Sequence, residues 1–77
     1  METYPQATTA YVLPQTPQEW EDDGYADGIA WGDSSLSRIH ERIAHTAGKL
    51  QPGAPTLPYL IGLLKGLAQA AQDKAAA

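Results

Sequence analysis

The chain has 77 residues, a net charge of -4 and no cysteine, which excludes disulfide reinforcement and thiolate metal sites and favours an intracellular, cytoplasmic setting. Leu, Ile, Val and Phe together number 13 of 77, below the roughly 20% usual for a self-sufficient globular domain, and another 13 of its hydrophobic residues are Ala. A chain this short buries only about 60% of the surface its unfolded form exposes, so a homo-oligomer sharing an intermolecular core is the expected supplement.

Residues 1–15 show no helical period. Within them residues 8–13 are rich in β-branched and aromatic side chains, and Pro14 closes the run, so the segment reads as an extended arm with no second strand to pair with it. No basic residue precedes Arg38, so neither a secretory signal nor an organelle transit peptide is expected. Thr16-Pro17-Gln18-Glu19 has the pattern of a capping box with proline at the first helical position. A short helix is expected over residues 17–23, because Gly24 and Gly28 each weaken continuation by about 1 kcal/mol relative to Ala.

Gly32-Asp33-Ser34-Ser35 marks the next boundary. Apolar residues then recur at Leu36, Ile39, Ile43, Ala47 and Leu50, the spacing of one amphipathic helix over residues 34–50. Pro52-Gly53 ends it, and a short connection leads to a last helix over residues 57–75 that opens with Pro58 in its first turn. The predicted architecture is therefore mainly α: one small domain of residues 1–77, with an arm (1–15), an acidic aromatic segment (16–33) and an antiparallel helical hairpin (34–77). The last helix carries a broad apolar stripe, with Gly62 and Gly66 on a second face beside Tyr59. Leu60, Ile61, Gly62, Leu64, Gly66 and Leu67 are the residues expected at an interface between copies, since small residues four apart let another backbone come close. Lys65 and Gln69 interrupt the apolar run, so no membrane span is expected.

Residues 1–35 hold seven carboxylates and no Lys or Arg, and the remainder carries five basic residues against Glu41 and Asp73, so the -4 divides into -7 and +3. So few cations disfavour double-stranded DNA as a partner. His40 and His45 diverge by about 140° on one helix and cannot share a metal by themselves. The stretch from Asp23 has Tyr25 and Ser34 where a calcium loop of the EF-hand type needs an oxygen ligand and a bidentate Glu. Nucleotide-cradling glycine motifs are absent, and no spacing marks a catalytic triad. No catalytic residue, metal or cofactor is assigned.

The expected role is that of a non-enzymatic interaction protein. It would regulate or inhibit a protein partner through Trp20, Glu21, Asp22, Asp23, Tyr25, Asp27 and Trp31, whose aromatics anchor while the carboxylates steer. An alternative is oligomeric sequestration of a small anionic ligand, phosphorylated or a nucleotide, by Tyr11, Arg38, Arg42 and Lys49. A further alternative is an accessory structural subunit of a larger complex.

Overall fold

The computed structural model describes residues 16–76, which form three α-helices and one short 3-10 turn, with no strand among them. Helix α1 spans Pro17–Ala30, the 3-10 turn Trp31–Asp33, helix α2 Leu36–Ala47 and helix α3 Leu57–Ala76. No helix among the described residues is long and apolar enough to cross a membrane. The arm of residues 1–15, including the strand-like run and Tyr11, lies outside the described residues.

Each boundary has a local cause. The Thr16 hydroxyl accepts from the Glu19 amide at 3.1 Å while the Glu19 carboxylate accepts from the Thr16 amide at 3.2 Å, the reciprocal bonds of a capping box. Ser35 caps α2 by accepting from the Arg38 amide at 3.3 Å, so that helix starts at Leu36 rather than at residue 34. Gly48 closes it, and Lys49 and Leu50 belong to the turn that follows. In the connection, the Ala54 amide donates to the Gln51 carbonyl across Pro52 and Gly53. Gly53 has φ +83°, the left-handed position of a turn that glycine occupies without strain.

Helix α1 does not stop near residue 23. It continues through Gly24 and Gly28 to Ala30 because both glycines are buried against α3, where their lack of a side chain is what permits contact. A Cβ on Gly28 would lie 2.5 Å from the Leu63 carbonyl oxygen and 2.6 Å from the Leu67 nitrogen. A Cβ on Gly24 would overlap the Tyr59 carbonyl, one on Gly62 the Glu21 carbonyl, and one on Gly66 the Tyr25 carbonyl. Two glycines four apart on each helix therefore bring the backbones together, and the propensity cost of glycine is outweighed by a contact that any larger residue would prevent.

The contacts advance in step along both helices, from Glu21 against Gly62, through Tyr25 against Gly66, to Gly28 against Gly66 and Leu67. Helices α1 and α3 thus run in the same direction, and the segment between them carries the chain back. Helix α3 also packs on α2, although its more extensive contact is with α1. The small core consists of Ile39, Leu63, Leu67, Ala70 and Ala71, with Trp31, Leu36, Ile43, Tyr59 and Leu60 packed around it.

The inward face of α2 differs from the predicted stripe. Leu36, Ile39 and Ile43 do face the core, but the next inward position is Thr46, while Ala47 and Leu50 are exposed. Spacings of three and of four residues both continue a helical stripe, and hydrophobicity alone selects Ala47 where packing selects Thr46.

Candidate functional site

The acidic aromatic segment is divided by α1 into an inward and an outward set. Trp20 is half-buried and meets the Tyr59 ring edge-on, with centroids 6.3 Å apart and planes at 89°. Glu21 accepts from Lys65 of α3 at 2.5 Å, and Asp27 accepts from the Tyr59 hydroxyl at 2.5 Å. Trp31 is half-buried at the 3-10 turn with the Arg42 guanidinium 5.4 Å from its ring centroid. Those four residues are occupied within the chain. Asp22, which accepts from Gln18 of its own helix at 2.8 Å, lies on the exposed side of α1, and Asp23 is half-buried. Tyr25 is 41% exposed and Ile29, one turn further on, 38%.

Tyr25 also borders a broad hollow of about 570 Å³ whose other side is built from His40, Lys65 and the small or amide residues of the second half of α3, among them Ala68, Gln69 and Gln72. The outward side of α1 thus continues into a depression rather than ending at a convex edge.

A second feature lies where the end of α1, the 3-10 turn, the start of α2 and the start of α3 converge. It is an open cleft of about 450 Å³ lined by Asp27, Ala30, Trp31, Ser34, Arg38, Arg42, Tyr59 and Leu63. A smaller hollow of about 240 Å³ adjoins it, sharing Trp31, Arg38 and Arg42 and adding Glu41 and His45. The two arginines come together because they stand four apart on one helix. Of the other residues expected to hold an anion, Lys49 is exposed beyond the end of α2 and lines neither hollow, and Tyr11 lies outside the described residues.

Tyr59 and Ser34 were not legible as site residues from sequence. Tyr59 joins the helices: its ring touches Trp20, its hydroxyl donates to Asp27, and its pKa is pushed up to about 12. The main cause is the hydrogen bond to Asp27, followed by burial and by the negative charges of Asp27 and Asp23, with Arg42 acting in the opposite direction. The only available signal was its position one residue from the apolar stripe and three before Gly62.

Of the six residues expected between copies, Gly62, Gly66 and Leu67 are buried within the chain, the glycines against α1, while Leu60, Ile61 and Leu64 are half-buried. Among the described residues no group of three or more His, Cys, Asp or Glu is gathered as a metal site. No protein-family model, curated protein or solved structure matches the chain.

Proposed function

We propose that this protein acts by binding, docking the outward side of α1 on a protein partner whose contact surface is rich in Lys and Arg. The observation that carries the reading is the pair Tyr25 and Ile29, one helical turn apart and the two most exposed large hydrophobics among the described residues. They stand on a helix with five carboxylates and no Lys or Arg of its own. Desolvation of the aromatic and aliphatic pair supplies affinity, and Asp22 and Asp23 steer encounter and select against acidic partners. A Lys- and Arg-rich surface is also one that nucleic acid can occupy, so docking there would exclude nucleic acid and inhibit the partner.

The test replaces Tyr25 by a photo-cross-linking phenylalanine analogue and sequences the peptides captured in an extract. The reading expects one predominant partner, cross-linked through a segment dense in Lys and Arg. Capture should weaken as ionic strength rises, and by about tenfold or more when Ile29→Ala is added to the chain carrying the analogue, with its helicity intact. Cross-links to acidic or neutral surfaces, or only to a second copy of the chain, would sink it.

A further inference from the structure

The cleft beside Trp31 has properties that a solvated surface does not. In a chain of net charge -4, Arg38 and Arg42 take part in no ion pair among the described residues. Arg42 instead lies over the Trp31 ring, and its Nε is buried with no hydrogen-bond partner. A guanidinium N–H withdrawn from water without an acceptor carries a desolvation cost that an arriving anion relieves. Arg38 and Arg42 both line this cleft and the hollow beside it, and guanidinium groups are planar, multiply donating forks of the kind that suits phosphate oxygens.

Asp27 also lines the cleft, one of its carboxylate oxygens accepting from the Tyr59 hydroxyl, so it attracts further hydrogen-bond donors and repels anionic groups. Trp31, Ala30 and Leu63 add aromatic and apolar lining. The volume of about 450 Å³, extended by the adjoining hollow of about 240 Å³, falls within the range of small-molecule sites.

We infer that this cleft binds a phosphate monoester of a planar, donor-bearing ring, of which a nucleoside monophosphate is the simplest representative, with the phosphate on Arg38 and Arg42, the ring along Trp31 and a ring or sugar donor on Asp27. All the residues come from one chain. The inference is independent of the docking surface on α1, since Tyr25 and Ile29 line neither hollow.

The experiment is calorimetric titration of the full chain with AMP, GMP, CMP and UMP and with inorganic phosphate, together with the indole NMR signals of Trp20 and Trp31. Saturable binding of at least one nucleotide at one site per chain is expected, with inorganic phosphate weaker by about tenfold or more and the Trp31 signal moving further than that of Trp20. Arg38 is exposed, so Arg38→Ala keeps the fold and should weaken binding by about tenfold or more. Because Arg42 packs on Trp31, Arg42→Lys is the second variant; it retains charge and stem, loses the fork, and should also weaken binding. Lys49→Ala and the Tyr25→Ala, Ile29→Ala pair should leave affinity unchanged. Absence of saturable binding by all four nucleotides, or unchanged affinity in Arg38→Ala, overturns the assignment.

Discussion

Thr46 is only 1% exposed on the inward side of α2, and its hydroxyl has no hydrogen-bond partner among the described residues. Burying a hydroxyl unpaired costs about 1–3 kcal/mol, whereas a methyl in the same place adds apolar contact. Thr46→Val is therefore expected to stabilise the fold by about 1 kcal/mol, read as a higher urea midpoint at unchanged slope; a lower midpoint would show that the hydroxyl is satisfied in solution. Tyr59 presents the complementary case of a polar group that is satisfied. Its folded pKa of about 12 lies above the ordinary tyrosine value of 10.0, so the neutral phenol is favoured in the folded chain. The associated stability is fully present below pH 10 and is lost as the unfolded state, then the folded state, ionises between about pH 10 and 12. Tyr59→Phe removes the bond to Asp27 and should cost about 1 kcal/mol near neutral pH, with stability falling less steeply than in the parent through that alkaline window. An unchanged alkaline profile in the variant would show that another group controls it.

Helices α1 and α3 are held by an absence of side chains, and that makes their contact unusually sensitive to a single carbon. Gly28→Ala gains about 1 kcal/mol of helix propensity, yet its Cβ would meet the Leu63 oxygen and Leu67 nitrogen, which are backbone atoms that cannot rotate aside. The net effect should be destabilising by about 2 kcal/mol or more, and Gly62→Ala should behave likewise. Gly48 provides the contrast: its φ is -67° and a Cβ there would make only ordinary contacts at 3.5 Å and 3.6 Å, so Gly48→Ala should be neutral or stabilising by up to about 1 kcal/mol. Thermal unfolding followed by circular dichroism separates the two classes, and equal behaviour of Gly28→Ala and Gly48→Ala would refute close backbone packing. The starts of the three helices were legible in the sequence, because caps such as Thr16 and Ser35 and breakers such as Pro52-Gly53 act through neighbours a few residues away, whereas the second half of α1, past Gly24, was not. The pairing of α1 with α3 was not, because a glycine in a helix reads locally as a weakness, and what it packs against lies more than 30 residues further on, as Gly24 against Tyr59 and Leu63 and Gly28 against Gly66. The cleft was half legible for the same reason: Arg38 and Arg42 share a helix face, whereas Asp27, Trp31 and Tyr59 join them only through the fold.

Across the whole molecule, composition and packing give different answers to the same shortage. With few large aliphatic residues, the buried hydrophobic core among the described residues amounts to Ile39, Leu63, Leu67, Ala70 and Ala71, and composition alone calls for a second copy to complete it. Close backbone packing between α1 and α3 is another source of cohesion, since dispersion depends on how many atoms reach contact distance rather than on side-chain size. It also covers Gly62 and Gly66, the residues a second copy would have used. The expected consequence is that the single chain is the folding unit, with a thermal midpoint that does not move across a wide concentration series. A total stability of roughly 4–12 kcal/mol for this length leaves such a fold intolerant of Leu67→Ala, which removes about 2–5 kcal/mol. Gly28→Val, which forces α1 away and uncovers the α3 face, should introduce the concentration dependence that the parent lacks, as mass action requires when folding becomes coupled to association. Were the parent midpoint itself to climb with concentration, the shared core inferred from composition would stand, and the α1 contact would be an addition to it rather than its replacement.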